Sequence, residues 1–241
     1  MCTLGAVNGR YLFKNRDLWC DSSRVEEVVC GQGNYRYRGI RGHASPLERG
    51  LNSGINEKGV AVAITFVDNV PLAEALLTKT PRGVLVEEIL GSCGDLASAV
   101  TVITEYMKKP LVGGNIMVAT PQGGVVLEQL YPRFVCEYFI NPIVVRTNHF
   151  LNLPMEQSNQ HEHNSSHDRS RRMCELLGNG DNASLTSIQG VLADHGGTHR
   201  ICSHEGTLRT VSAVVYDVKA AVMHYASGPP CNTPWQRFTV N

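Results

Sequence analysis

The sequence has no excess of charge of either sign, because 22 Lys and Arg residues balance 22 Asp and Glu residues. Without a basic surplus to neutralise phosphates, nucleic acid is excluded as the main partner, and so is a polybasic membrane surface site. No apolar run approaches the roughly 20 residues that a spanning helix needs. The N-terminus also lacks the basic and apolar regions of a signal peptide. We therefore expect a soluble, cytoplasmic, globular protein.

Cysteine is scarce and shows no metal-binding or redox spacing. The eight cysteines make up about 3% of the 241 residues, far below the density of a disulfide-stabilised secreted domain. No two of them form a Cys-x-x-Cys pair, which excludes the zinc-ribbon and thioredoxin patterns. His161, His163 and His167 could offer metal ligands, but the polar composition around them favours a solvated loop. We predict no metal site and no cofactor.

Strand and helix signals alternate along the chain in blocks. The first strands are expected within 2–17, joined by the hairpin dipeptide Asn8-Gly9, and others over 24–30, 60–66, 115–120, 125–129, 134–139, 142–147, 207–216 and 221–225. Helical periodicity covers 82–107 with a break near 91–94, then 169–177 and 184–195, with Ser184 as an N-cap. The Asn-, His- and Ser-rich residues 155–168 are predicted to form a loop. This order predicts one α+β domain over residues 1–241, with two sheets and helical outer layers.

Cys2 differs from the other cysteines because it directly follows Met1. Removal of Met1 would leave Cys2 with a free α-amine, whose pKa of about 7.7–8.0 keeps it partly neutral at pH 7. A thiol nucleophile and its general base would then lie on one residue, as in N-terminal-nucleophile enzymes. Many chains begin with Met-Cys by chance, so the dipeptide needs support from other motifs.

A charged segment, Lys14-Asn15-Arg16-Asp17, follows one predicted strand later. Across a tight hairpin, Asp17 could hold the Cys2 amine and Lys14 could favour the thiolate. The same residues could form a solvated charge cluster at a strand end, where an exposed ion pair contributes less than about 1 kcal/mol. The pattern by itself favours the solvated cluster and leaves the catalytic interpretation open.

Taken with Met1-Cys2-Thr3, this segment resembles the opening of the N-terminal-nucleophile amide hydrolases. It is most similar to the acyl-coenzyme A:6-aminopenicillanate acyltransferase family, which is related to choloylglycine hydrolase and penicillin V acylase. Further segments resemble family motifs in the same order: 53–60 (SGINEKGV), 113–128, Thr147-Asn148, 166–172, Asp194-His195, 201–204 and 228–231. Each motif is weak alone, but their order and spacing cover essentially the whole chain.

The resemblance implies a four-layer αββα sandwich with the N-terminal strand inside one of the two sheets. It also implies that the Cys2 thiol attacks an amide or thioester carbonyl while the α-amine takes its proton. Asn148 would donate to the oxyanion, a contribution of about 3 kcal/mol; without the resemblance, Asn148 would be interpreted as a turn residue at a strand end. Asp17 and Arg169 would hold the amine and its charge network, whereas Arg171 is expected on a solvated face.

Lys14, Thr65 and Phe66 are the substrate-binding residues that the resemblance implies, and two of them depart from related patterns. Thr65-Phe66 stands where the bile-salt branch typically carries Asn-Phe, so bile-salt hydrolysis is not expected. Lys14 replaces the commoner Arg, which removes bidentate recognition of a carboxylate. The chain as given has no long segment before Cys2, so activation is expected to need only the removal of Met1.

These observations give one leading hypothesis and two alternatives. The leading hypothesis is a hydrolase or acyltransferase that cleaves or forms a linear non-peptide amide through a thioester on Cys2. Its partner would be a small-molecule amide or acyl thioester, and the chain could form a homo-oligomer. The alternatives are a dipeptidase of the N-terminal-cysteine class and a non-catalytic small-molecule-binding protein that retains the fold.

Overall fold

Two antiparallel sheets lie face to face at the centre of the protein, and each is covered by helices on its outer side. The computed structural model describes residues 2–7, 9–19, 26–43, 49–67, 80–140, 143–154, 160–204 and 208–240. Within them the strands are β1 (Cys2–Val7), β2 (Tyr11–Trp19), β3 (Glu26–Gln32), β4 (Arg36–Gly42), β5 (Ser53–Asn56), β6 (Ala61–Thr65), β7 (Gly114–Thr120), β8 (Gly123–Leu130), β9 (Arg133–Phe139), β10 (Val144–Arg146), β11 (Leu208–Asp217), β12 (Val222–Ala226) and β13 (Gln236–Thr239). The helices are α1 (Arg82–Ser92), α2 (Leu96–Met107), α3 (Gln160–Leu177) and α4 (Leu185–Leu192).

The strand order places the N-terminus in the interior of a sheet. The six-stranded sheet runs β10-β1-β2-β11-β12-β13, and the seven-stranded sheet runs β3-β4-β5-β6-β7-β8-β9. Consecutive antiparallel pairs build the second sheet, whereas the first joins the N-terminal hairpin to strands from the second half of the chain. Because β1 has β2 on one side and β10 on the other, its backbone groups are paired on both edges.

Apolar side chains fill the three spaces between the four layers. The contact between the sheets includes Leu4, Leu12, Ile55, Met117 and Tyr216. Helices α1 and α2 pack on the seven-stranded sheet through residues such as Ile89 and Ile103. Helices α3 and α4 cover the six-stranded sheet through residues such as Met173 and Ile188. The predicted αββα sandwich is therefore confirmed.

Most of the predicted elements are present with small differences at their ends. The N-terminal hairpin forms with Gly9 at a φ of +53°, and the helical region at 82–107 divides into α1 and α2. Ser184 caps α4 as expected, although the helix ends at Leu192. The predicted strand starts at 24, 142 and 207 lie outside the described residues. Strands β4, β5 and β13 were not predicted, and among the described helices none has the length and apolar character needed to cross a membrane.

The predicted loop over 155–168 is wrong from residue 160 onward, because α3 begins at Gln160. Residues 155–159 lie outside the described residues. Asn, His and Ser are weak helix formers, which explains the expectation of a loop. Tertiary contacts override that preference here: Ser166, Arg169 and Met173 are all buried against the six-stranded sheet or the segment that follows β10. The helix ends as expected before Gly178, which has a φ of +58°.

Candidate active site

Cys2 begins β1 and is almost enclosed, with 9% of its surface exposed. Its Cα lies opposite that of Arg16 on β2. The alternating side chains of β1 are anchored on both faces, since Leu4 and Ala6 belong to the core between the sheets and Val7 to the core under the helices. The strand thus fixes the backbone of Cys2 before any side chain of the site is considered.

Asn148 holds the backbone nitrogen of Cys2. The Cys2 N–H donates to Asn148 Oδ1 at 2.9 Å, across 146 residues of sequence. Asn148 Nδ2 donates in turn to the carbonyl oxygen of Phe66 at 2.7 Å, which fixes the orientation of the amide. Asn148 lies two residues after the end of β10, and β10 is the neighbour of β1, so the sheet itself brings the two residues together.

Arg169 on α3 ties the same atoms into one network. Its Nη1 donates to the carbonyl oxygen of Cys2 at 2.9 Å and to Thr3 Oγ1 at 2.8 Å. Its Nη2 donates to Asn148 Oδ1 at 2.9 Å, so the guanidinium and the Cys2 nitrogen share one acceptor. Arg169 is buried, whereas the side chain of Arg171 is 70% exposed, as expected from the sequence.

A second layer of polar residues holds Asn148 in place. The backbone N–H of Asn148 donates to Ser166 Oγ at 2.7 Å, and Thr147 Oγ1 donates to the carbonyl oxygen of Ser166 at 2.8 Å. The ring of His149 lies 2.7 Å from Ser166 Oγ through Nδ1 and stacks on His167 at a centroid distance of 3.8 Å. These contacts join the end of β10 to α3, which is why the helix continues through a polar sequence.

Lys14 is fully buried near the thiol. Its Nζ donates to the carbonyl oxygen of Ile64 at 2.6 Å and to Asn52 Oδ1. Burial lowers the pKa of Lys14, and the neighbouring Cys2 is the largest influence in the opposite direction. That Lys14 favours the Cys2 thiolate stays a prediction.

Thr65 and Phe66 lie at the end of β6, beside Asn148. Thr65 Oγ1 donates to the carbonyl oxygen of Thr147 at 2.7 Å, so its hydroxyl proton already forms a hydrogen bond within the protein. The guanidinium of Arg82 donates to the carbonyl oxygen of Thr65 and lies 5.6 Å from the ring centroid of Phe66. Arg82 is the first residue of α1. No sequence pattern predicted that it would lie beside the site.

Asp17 lies one residue beyond the partner of Cys2 on β2 and is 2% exposed. Its Oδ1 accepts a hydrogen bond from Thr210 Oγ1 at 2.7 Å. Thr210 Oγ1 accepts in turn from the backbone N–H of Ser203 at 2.9 Å. Asp17 is therefore linked to the segment that connects α4 with β11.

The expectation of a solvated charge cluster at Lys14-Asn15-Arg16-Asp17 is wrong, because all four residues are at most 2% exposed. The side chains of Arg16 and Glu26 form an ion pair, and Glu26 Oε1 accepts from the hydroxyl of Tyr225 at 2.9 Å. A buried charge is tolerated only when it is paired and hydrogen-bonded, as here. Neither Glu26 nor Tyr225 was predicted in this cluster, because no local spacing connects them to Arg16.

The structure brings Cys2, Asn148 and Arg169 into direct contact and places the other four predicted site residues close to them. Lys14 donates to the carbonyl oxygen of Ile64, the residue before Thr65, and Thr65 donates to that of Thr147. Phe66 accepts from Asn148, and Asp17 lies on the strand paired with β1. Ser166 and Thr147 were only parts of longer motifs, and nothing in their spacing indicated a supporting role. The roles assigned to these residues stay predictions.

The fold is similar to those of a solved acylase, a solved acid amidase and a solved bile acid hydrolase. Penicillin V acylase from Agrobacterium tumefaciens matches with a TM-score of 0.57 and 12% identity, covering 94% of this chain and 83% of that one. An N-acylethanolamine-hydrolyzing acid amidase ortholog from Caenorhabditis elegans matches with a TM-score of 0.58 and 15% identity, covering 90% and 93%. The C2A mutant of conjugated bile acid hydrolase from Clostridium perfringens matches with a TM-score of 0.58 and 13% identity, covering 100% and 97%.

Sequence comparison identifies the family. No curated protein matches the chain in sequence. The family model described as acyl-coenzyme A:6-aminopenicillanic acid acyl-transferase, however, matches residues 6–232, which is nearly the whole chain. The protein therefore belongs to the acyl-coenzyme A:6-aminopenicillanic acid acyl-transferase family.

Proposed function

We propose that this protein is a hydrolase or acyltransferase that cleaves or forms a linear non-peptide amide through a thioester on Cys2. One observation carries the proposal: Asn148 Oδ1 accepts from both the Cys2 nitrogen and Arg169, next to a nearly buried thiol. This arrangement fixes the nitrogen that would serve as the base. The family description names acyl transfer to an amine, and the solved neighbours are named as an acylase, an amidase and a bile acid hydrolase.

Release of Cys2 from Met1 converts the Cys2 amide nitrogen into an amine. One N–H of that amine would keep its hydrogen bond to Asn148 Oδ1, which leaves the lone pair free to take the thiol proton. The guanidinium of Arg169 shares the same acceptor, and a nearby positive charge disfavours the ammonium form of an amine. Arg169 would thus help to keep the base neutral.

The reaction then proceeds in two balanced halves. The sulfur of Cys2 bonds to the substrate carbonyl carbon while the thiol proton passes to the α-amine. Collapse of the tetrahedral intermediate breaks the carbon–nitrogen bond, and the leaving amine takes that proton. Water or an acceptor amine attacks the thioester, gives a proton to the α-amine, and releases the acid or new amide as the proton returns to sulfur.

Two side chains, Asn148 and Thr65, could donate a hydrogen bond to the oxyanion of the tetrahedral intermediate. Asn148 Nδ2 carries two N–H groups, of which one is bonded to the Phe66 carbonyl oxygen. The other is a candidate donor, which agrees with the predicted role of Asn148. The hydroxyl of Thr65 is a poorer candidate, because it donates to the carbonyl oxygen of Thr147.

The test is substitution of Cys2 in the full chain. Cys2→Ala should abolish turnover of N-acyl amides, and Cys2→Ser should lower it by at least about a hundredfold, since a hydroxyl is far less acidic than a thiol. Cys174→Ser, at an exposed cysteine of α3, is the matched control and should retain full activity. Intact-mass analysis should detect an acyl group on Cys2 after brief exposure to substrate.

Different outcomes separate the alternatives. Full activity of Cys2→Ala would contradict the proposed nucleophile. Turnover confined to dipeptides in a panel with N-acyl amino acids and penicillins would favour the dipeptidase. Retention of Met1 in protein from its natural host would favour a binding protein without catalysis.

We propose a small-molecule amide or acyl thioester as the partner and the cytoplasm as the compartment. The low cysteine density and balanced charge support both. Size-exclusion chromatography with light scattering would settle whether the chain forms a homo-oligomer.

A further inference from the structure

Four metal-binding side chains from two separate segments meet next to the six-stranded sheet. His195, Cys202 and His204 belong to the connection between α4 and β11, and Cys231 belongs to the turn between β12 and β13. Their ligand atoms all lie within 4.8 Å of one another. No metal site was predicted here, because no two cysteines form a Cys-x-x-Cys pair.

The distances in the cluster resemble the edges of a tetrahedron around one metal ion. Cys202 Sγ and Cys231 Sγ are 3.7 Å apart, and the Nε2 atoms of His195 and His204 are 3.1 Å apart. With metal–sulfur and metal–nitrogen bonds of about 2.3 and 2.05 Å, a regular tetrahedron has edges of about 3.8 Å between sulfurs and about 3.3 Å between nitrogens. Only small side-chain rotations would bring the mixed sulfur–nitrogen pairs to about 3.6 Å.

Backbone and side-chain hydrogen bonds hold the segment that carries His195 and Cys202 in place. The Cys202 N–H donates to the Asp194 carbonyl oxygen at 3.0 Å, which closes the loop between His195 and Cys202. The carboxylate of Asp194 accepts from Arg172 on α3 at 2.9 Å. Asn15 Nδ2 donates to the carbonyl oxygen of Ile201 at 3.0 Å. This half of the site therefore loses little conformational entropy when a metal ion binds.

We propose that His195, Cys202, His204 and Cys231 form a structural Zn²⁺ site. Two thiolates and two neutral imidazoles in a tetrahedral set favour zinc over calcium, magnesium or manganese, which prefer oxygen ligands. Four protein ligands leave no open position for water or substrate, so the ion would stabilise structure. Binding releases the two thiol protons to solvent, and the resulting centre is neutral.

The ion would join the turn before β13 to the segment that supports Asp17. Ser203 lies between Cys202 and His204, and its N–H donates to Thr210 Oγ1, which donates to Asp17 Oδ1. Zinc binding would therefore restrict the backbone that positions the Asp17 carboxylate. The zinc site itself does not depend on the proposed function, because its ligands are separate from Cys2, Asn148 and Arg169.

The metal content of the untagged full chain tests the proposal. Protein prepared with zinc and a reductant should carry one zinc ion per chain after gel filtration. Cys231→Ser and His195→Gln, both at exposed positions, should lower zinc affinity at least tenfold, whereas Cys174→Ser should leave it unchanged. Co²⁺ bound to the wild type should give tetrahedral visible bands and thiolate charge-transfer absorption, and the latter should weaken in Cys231→Ser.

A second measurement does not rely on the variants. Chelation of zinc should lower the melting temperature of the wild type, because a ligand that binds only the folded state stabilises it. The same treatment should leave the melting temperature of Cys231→Ser unchanged. A wild type that binds no more zinc than Cys231→Ser would overturn the proposal. So would a Cys202–Cys231 disulfide in protein from its natural host, detected as a mass lower by two hydrogens.

Discussion

At the scale of single residues, the site depends on how one oxygen atom is shared. Asn148 Oδ1 accepts from the Cys2 nitrogen and from Arg169 Nη2, while Arg169 Nη1 reaches the Cys2 carbonyl oxygen. The planar guanidinium can do this because its donors have a fixed fork geometry. The nitrogen and the carbonyl of Cys2 are thus held from two directions.

Replacing Arg169 by Lys tests this arrangement. A single ammonium cannot make the same set of contacts, so at least one buried acceptor loses its partner. Loss of one or two charge-assisted hydrogen bonds, at about 1.5 kcal/mol each, predicts a fall in kcat of about tenfold to a hundredfold. The rates of amide turnover and of Cys2 alkylation should fall together.

Arg171→Lys is the matched control, because Arg171 lies on the same helix with an exposed side chain that pairs with Asp168. It should behave like the wild type in both assays. Melting temperatures distinguish a misplaced nucleophile from an unfolded one. Equal rates for Arg169→Lys and Arg171→Lys would contradict a positioning role for Arg169.

Much of the candidate site could be predicted from sequence, but only through the resemblance of several motifs. Cys2 and Asn148 are 146 residues apart, so no local periodicity relates them, and their contact depends on the pairing of β1 with β10. The supporting role of Ser166 could not be predicted for the same reason, because its hydroxyl accepts a hydrogen bond from the backbone N–H of the distant residue Asn148. Local patterns report neighbours in sequence, whereas this site is made by neighbours in a sheet.

At the scale of elements, hairpins and capped helices could be predicted, whereas the start of α3 could not. Asn8-Gly9 and Ser184 act within a few residues, so their effect is visible in the sequence. The first turns of α3 are rich in weak helix formers, and Ser166 in this region accepts from the backbone N–H of Asn148, a contact that lies far away in sequence. Strands β4, β5 and β13 are short or contain glycine and charged residues, which obscured their alternation.

The caps of α2 and α4 differ in charge, and this gives a prediction about acid stability. Asp95 Oδ1 accepts from the N–H and the hydroxyl of Ser98 at 2.8 and 2.7 Å, and these hydrogen bonds lower the pKa of Asp95 below its ordinary value. As the pH falls below about 4, the unfolded chain binds a proton at Asp95 before the folded chain does. The stabilisation is therefore complete at neutral pH and decreases in acid.

Urea denaturation between pH 7 and pH 2.5 measures this effect. Asp95→Ala should unfold at lower urea than the wild type at neutral pH, and the difference should shrink in acid. Ser184→Ala is the matched control on α4, because the Ser184 hydroxyl accepts from the Ser187 N–H at 3.1 Å and does not titrate. It should cost about 1 kcal/mol at every pH. An effect of Asp95→Ala that is independent of pH would contradict the prediction.

At the scale of the whole molecule, polar contacts as well as apolar ones join the two sheets. Every described strand belongs to one of these sheets, which supports the proposal of a single domain over residues 1–241. Glu26 of the seven-stranded sheet reaches Arg16 and Tyr225 of the six-stranded sheet. Arg16 lies on β2 opposite Cys2 on β1, so this contact anchors the hairpin that carries Cys2 to the seven-stranded sheet.

A second contact between the sheets allows a clean test of their coupling. The hydroxyl of Tyr216 on β11 donates to Ser53 Oγ on β5 at 2.8 Å, and both side chains are fully buried. Tyr216→Phe or Ser53→Ala leaves one buried polar group without its partner, at a cost of about 1–2 kcal/mol. The double variant removes both groups, so it should be about as stable as either single variant.

Thermal unfolding of the four proteins completes this double-mutant cycle. Each single variant should melt about 2–6 °C below the wild type, given the size of the chain. The double variant should show a coupling energy of about 1 kcal/mol. Since neither residue contacts Cys2, Asn148 or Arg169, turnover at 25 °C should be unchanged in all four. Strictly additive losses would mean that the hydrogen bond between Tyr216 and Ser53 does not couple the two sheets.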